Sequence, residues 1–137
     1  MRLFLYGTLM GQAETPMARW LAEHVTDTRP ATIAGVIHAV PSASGWFPAL
    51  LRGQGRVRGI VADCTLSRGE MARIDRYEGR EYRRATLRAK SMAGAETAQG
   101  WIWRGPLPED AVAVPGGDFL AWLAATGHTV LSSRNGN

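Results

Sequence analysis

Apolar residues open the chain in a short, loosely alternating run, Leu3-Phe4-Leu5-Tyr6, rich in β-forming side chains and ended by Gly7, so residues 2 to 6 predict a first strand. Thr15 followed by Pro16 has the form of a helix N-cap with proline at the first helical position. Behind it Met17, Trp20, Leu21 and His24 fall at helical spacing and predict a short amphipathic helix. Residues 31 to 40 are small and β-branched and predict a second strand that Pro41 stops, followed by a loop from Ser42 to Pro48 with Gly45 and Pro48 as breakers. Ala49 to Leu51 and Val57 to Leu66 flank Arg52-Gly53-Gln54-Gly55-Arg56, a pattern that predicts a hairpin turning at its two glycines.

Ser67-Arg68-Gly69-Glu70 is a capping-box pattern opening a second helix. Met71, Ile74 and Tyr77 give that helix one apolar stripe, and Gly79 is placed to end it in a left-handed conformation. Strands follow at about residues 81 to 90 and 97 to 103, with Gly94 in the turn between them. After an irregular stretch containing Pro106, Pro108, Pro115, Gly116 and Gly117, Asp118 caps a last helix carrying Phe119, Leu120, Trp122 and Leu123 and closed by Gly127.

No repeat, low-complexity tract or linker divides these elements, and 137 residues suit one domain, placed over residues 1–131 with a polar tail over 132–137. Five or six strands joined by hairpins and interrupted by short helices predict an α+β domain whose core is a small, strongly curved sheet or barrel. Hydrophobic residues at 45% and charged residues at 20% exclude an intrinsically disordered chain. No apolar stretch is long enough to cross a bilayer as a helix, and Gly7 arrives before a signal-peptide core could form. Cys64 is the single cysteine, which excludes an intrachain disulfide framework and a cysteine zinc cluster. The chain reads as a cytoplasmic domain with no membrane contact.

Sixteen basic residues against twelve acidic ones give a net charge of +4, and all the basic ones but Lys90 are arginine. Ten arginines against five acids lie between Arg52 and Arg88, a local excess of five. Such a cluster suits a solvated face, an anionic substrate or nucleic acid. No basic-aromatic interleave or zinc-finger spacing accompanies it, so nucleic acid is not expected as a partner.

The chain also lacks a phosphate-binding glycine loop, a dinucleotide fingerprint and a nucleophile-elbow serine. His24, His38 and His128 are scattered without metal-ligand spacing, and Cys64 ends an apolar strand pattern as a packed thiol would. Hydride transfer, nucleotide hydrolysis, zinc hydrolysis and cysteine catalysis therefore recede, and no metal or cofactor is expected.

Two segments remain. In Tyr6-Gly7-Thr8-Leu9 a glycine directly follows a strand, where backbone N–H groups can converge on an anion or a developing oxyanion, although a plain turn has the same form. In Asp75-Arg76-Tyr77-Glu78-Gly79-Arg80-Glu81-Tyr82-Arg83, Glu78 falls in the last helical turn, where the dipole disfavours negative charge. A carboxylate there, if partly buried, would have a raised pKa of the kind a general acid/base needs. An ordinary exposed Glu eased by Arg80 and Arg83 is the alternative, and Asp75 could pair on the surface with Arg76 or Arg80.

In this order the motifs resemble the γ-glutamylcyclotransferase-like family, including its branch of small stand-alone plant-type domains. The strand running into Tyr6-Gly7-Thr8-Leu9 is similar to the family's opening. Phe47-Pro48-Ala49-Leu50 and Val57-Arg58-Gly59 resemble its middle. Ile74-Asp75-Arg76-Tyr77-Glu78-Gly79 followed by Tyr82-Arg83-Arg84 resembles its Leu-Asp-x-x-Glu helix end and Tyr-x-Arg strand. The likeness spans roughly residues 2 to 104. Ile60 stands where many relatives have Glu, and Trp101-Ile102 where they often have Tyr-Val, a change that bears on pocket shape.

The resemblance implies a small mixed β-barrel with peripheral helices and a cavity at one side. It implies a cofactor-independent enzyme in which the α-amine of a γ-glutamyl group attacks its own γ-carbonyl, forming 5-oxoproline and releasing an amine or amino acid. Glu78 would carry the proton, the backbone of Gly7, Thr8 and Leu9 would hold substrate oxygens, Tyr6 would line the pocket and Tyr82 would hydrogen-bond near the glutamate. The partner is then a small γ-glutamyl compound, with the leaving amine and the oligomeric state left open. The alternative is a non-catalytic domain of the same fold that binds a small anion.

Overall fold

The structure, a computed structural model, describes residues 1–7, 9–10, 15–43 and 45–128. Thr8 and the tail over 132–137 lie outside the described residues. The first strand, β1, is Arg2–Leu5, and all of Leu3, Phe4, Leu5 and Tyr6 are buried, which is why the run is apolar on both faces. Helix α1, Pro16–Ala22, starts at Thr15, whose side chain accepts a hydrogen bond from the Ala18 N–H at 3.1 Å.

Strands β2, Val25–Ser42, and β3, Gly45–Cys64, form one long antiparallel ribbon. This corrects the sequence expectation in two places. Pro41 lies within β2, paired with Trp46, and Pro48 lies within β3, paired with Ala39, so the reversal is confined between the paired residues Ser42 and Gly45. The glycines over 52–56 do not turn the chain. The register steps from Val36↔Leu51 to Ala34↔Arg56, so that residues 52–55 bulge opposite Gly35. Glycine serves there because the strands come too close for a side chain: a Cβ on Gly55 would lie 2.9 Å from the Gly35 carbonyl oxygen.

Helix α2, Arg68–Glu78, has the complete capping box, with Ser67 and Glu70 each accepting from the other's backbone N–H. Its Met71, Ile74 and Tyr77 are buried, each contributing roughly 1.5–3 kcal/mol of burial free energy. Gly79 has a positive φ of 91° but an extended ψ of −177°, a combination open to glycine and outside the left-handed helical region expected from sequence. Strands β4, Tyr82–Ser91, and β5, Gly94–Trp103, pair along their whole length around a two-residue turn. A short β6, Val112–Ala113, and helix α3, Phe119–Thr126, follow, the helix capped by Asp118 and closed by Gly127 in the left-handed conformation.

Pairing closes a five-stranded barrel: β3 joins β1, β1 runs parallel to β5, β5 joins β4, β4 joins β2, and β2 returns to β3. The sixth strand attaches outside this circuit to β2 at His38 and Ala39. The parallel β1–β5 contact makes the barrel mixed. One core fills its interior with Phe4, Ile33, Val57, Val61 and Ala98, reached by Phe119 and Leu123 of α3. The other lies on the outer face, where Leu3, Leu5, Ala62 and Trp101 pack under Leu21 of α1 and Met71, Ile74 and Tyr77 of α2. Alternation along each strand separates the two cores.

A partly exposed cluster of charges lies at the Arg2 end of β1. Arg29 donates to Asp63 at 3.0 Å and pairs with Glu96, and Arg2 approaches Glu96 at 3.4 Å. The Arg29 guanidinium is the main cause that holds Glu96 down at about 2, and it also holds Asp63 below its usual value.

Among the described residues no helix is long and apolar enough to cross a membrane.

Candidate active site

At the opposite end of β1 the strand enters the Tyr6-Gly7 turn, and a narrow cleft opens between the barrel rim and the end of α2. Its cavity volume is about 20 Å³, and it is lined by Phe4, Leu5, Tyr6, Gly7, Leu9, Phe47, Pro48, Glu78, Tyr82 and Trp101. Tyr6, Gly7, Leu9, Glu78 and Tyr82, named from the sequence, thus share one cavity although about seventy residues separate the two segments. Thr8, named with them, lies outside the described residues.

Each lining residue has a local cause for its position. Gly7 passes so close to β3 that a Cβ would sit 2.5 Å from Pro48 Cγ, so the glycine answers a packing demand as well as a turn. The Gly7 carbonyl accepts the Met10 N–H at 3.0 Å, which folds the turn back on itself. Glu78 is the last residue of α2, half-buried, with its position fixed by the buried stripe behind it. The two tyrosines tie the walls together: Tyr6 Oη donates to the Trp101 carbonyl on β5, and Tyr82 Oη donates to the Pro48 carbonyl on β3. Aromatic packing completes the wall, with Tyr82 edge-on to Trp103 and Phe47 stacked on Trp103.

The arrangement offers one carboxylate inside an apolar and aromatic cleft beside the backbone of a glycine turn. Among the described lining residues there is no cationic side chain, and no group of three or more His, Cys, Asp or Glu among the described residues is placed to hold a metal ion. The chemistry such a cleft can perform is proton transfer on an oriented small molecule.

Phe4, Leu5, Phe47, Pro48 and Trp101 also line the cleft and were not named as site residues from sequence. Phe47-Pro48 was visible as a motif, and Trp101 as a departure, but neither carries a chemical group that marks a site. Asp75 was read as a surface partner of Arg76 or Arg80. In the structure Asp75 accepts from the Trp101 indole at 2.9 Å and lies 3.7 Å from the Arg84 guanidinium.

Comparison with known proteins places the geometry in a family. The chain belongs to the family described as Gamma-glutamyl cyclotransferase, AIG2-like, whose model matches residues 3–121. Its fold recurs in an uncharacterized protein from Pyrococcus horikoshii, PH0828, at 20% identity and a TM-score of 0.67, covering 93% of this chain and 96% of that one. It recurs in an AIG2-like protein from Mus musculus at 17% identity and a TM-score of 0.60, covering 79% and 80%. YkqA from Bacillus subtilis matches at 17% identity and a TM-score of 0.70, covering 92% of this chain, which spans only 42% of that protein. No curated protein matches the chain in sequence.

Proposed function

We propose that this cleft cyclises a γ-glutamyl group to 5-oxoproline. The α-amine nitrogen bonds to the γ-carbonyl carbon, the bond from that carbon to the departing nitrogen breaks, and the amine leaves. The attacking ammonium sheds two protons on its way to the lactam N–H; Glu78 takes them in turn and delivers them to the departing nitrogen, which leaves as an ammonium, so atoms and charge balance without a cofactor. The ring closure is intramolecular, and the residues supply orientation and proton transfer. In this reading the backbone at Gly7 and Leu9 holds substrate oxygens, with Tyr6 and Tyr82 in the walls around them. The observation that carries the proposal is that Glu78 and the Tyr6-Gly7-Leu9 turn line one cleft, in a chain of this family.

The leaving group is a small amine or amino acid, and the experiment that tests the proposal identifies it. The protein is incubated with a panel of γ-glutamyl amines and γ-glutamyl dipeptides, and 5-oxoproline is measured. Release from at least one member supports the cyclase. Binding of panel members with no release from any supports a domain that only holds the metabolite.

A further inference from the structure

Trp101 is the point at which three elements meet behind the cleft. Its main-chain carbonyl accepts from Tyr6 at the end of β1, and its indole Nε1–H donates to Asp75 Oδ1 of α2 at 2.9 Å. Arg84 is the cross-strand partner of Trp101, and its Nη2 lies 3.7 Å from the other carboxylate oxygen, Asp75 Oδ2. Trp101 is buried, 2% exposed, and lines the cleft together with Glu78.

Asp75 lies three residues before Glu78 and therefore on the same helix face. The carboxylate that grips the cleft wall and the carboxylate in the cleft are thus fixed to one rigid turn. We infer that Asp75 is a positioning residue: through the Trp101 indole it sets the separation between the β5 wall and Glu78, and so the width of the cleft that a ligand enters. This rests on the cyclase reading for its kinetic consequence, but the contact it names is independent of that reading. A buried indole N–H left without an acceptor loses its hydrogen bond, and the ring is then free to shift into the cleft.

The test uses Asp75→Leu, Asp75→Asn, Trp101→Phe and the double variant Asp75→Leu/Trp101→Phe. Asp75→Leu removes the acceptor, Asp75→Asn keeps a side-chain oxygen, and Trp101→Phe removes the donor. NMR hydrogen exchange of the Trp101 indole N–H reads the contact directly: slow in wild type and Asp75→Asn, and at least about tenfold faster in Asp75→Leu. With the γ-glutamyl substrate that the panel identifies, KM should rise about tenfold in Asp75→Leu with a smaller change in kcat, and less in Asp75→Asn. Trp101→Phe should resemble Asp75→Leu, and the double variant should be no worse than either, because both remove one interaction.

Unchanged indole exchange in Asp75→Leu, or losses that multiply in the double variant, overturns the inference. If wild type releases no 5-oxoproline, the cyclase reading fails by itself. Affinity for the panel member that binds then replaces KM as the measurement, with the same weakening expected in Asp75→Leu. A wild type that neither turns over nor binds any panel member overturns both.

Discussion

The two ends of β1 put carboxylates into opposite surroundings. At the Arg2 end Glu96 and Asp63 are met by Arg29 and Arg2, and the guanidinium hydrogen bonds keep both carboxylates ionised. At the Tyr6 end Glu78 stands at the C-terminal end of α2 in a cleft whose described lining is apolar and aromatic. The first arrangement fixes charge by pairing it across β1, β2, β3 and β5. The second sets a carboxylate in the wall of a cleft. The contrast teaches that charge in this small barrel is structural where guanidinium groups surround it and suited to chemistry where rings do.

The largest effect is expected where the two ends are held in common register. A Cβ at Gly59 would fall 2.2 Å from the Leu5 carbonyl oxygen, which is backbone and cannot swing away. Gly59→Val should therefore cost about 3 kcal/mol or more and abolish the folded barrel in thermal melts. A melting temperature within a few degrees of wild type would show that β1 and β3 are not locked as described.

Next in size is Arg29→Met, which strips Glu96 and Asp63 of their principal partner. The melting temperature should fall at neutral pH, while 5-oxoproline release per folded molecule stays near wild type, because the change lies at the end of β1 away from the cleft. A variant that melts like wild type would reduce the cluster to surface decoration.

The smallest effect separates the ends by pH. Glu96 titrates at about 2 in the fold against about 4.5 when unperturbed, so its contribution is present above about 4.5 and is lost as pH falls towards 2. Asp63 is shifted in the same direction. Melts taken from pH 5 to pH 2 should show a loss of stability, and Glu96→Gln should flatten that slope. An equally steep acid limb in Glu96→Gln would assign the acid transition to other groups.

The parts of this molecule that were legible in sequence are those with local causes. Thr15-Pro16, the Ser67 to Glu70 box and the Asp118 to Gly127 helix each satisfy their own backbone groups within a few residues, and each helix forms where its caps stand. The β2–β3 ribbon was misread because glycine and proline mark places where a chain can bend, and pairing with a distant strand decides whether it does. Glu78 and the Tyr6-Gly7 turn could be named as motifs, but their meeting depends on barrel closure, which no local pattern encodes. The Arg29 cluster left a faint trace. Arg2, Arg29, Asp63 and Glu96 each stand two residues from an interior position of their own strand, at Phe4, Ala31, Val61 and Ala98. The Asp75–Trp101 contact left none, since it joins a helix to a strand 26 residues away.

The central claim is that Glu78 moves the proton, and Glu78→Gln tests it most directly. Glutamine keeps the shape and a hydrogen-bonding amide but takes no proton from an ammonium group at neutral pH. Measured beside wild type on the same γ-glutamyl substrate, 5-oxoproline release should fall by about 10² or more. The melting temperature should hold or rise, since a negative charge at a helix C-terminal end is removed. Wild-type turnover in a folded Glu78→Gln protein would contradict the account and assign the proton transfer to another group.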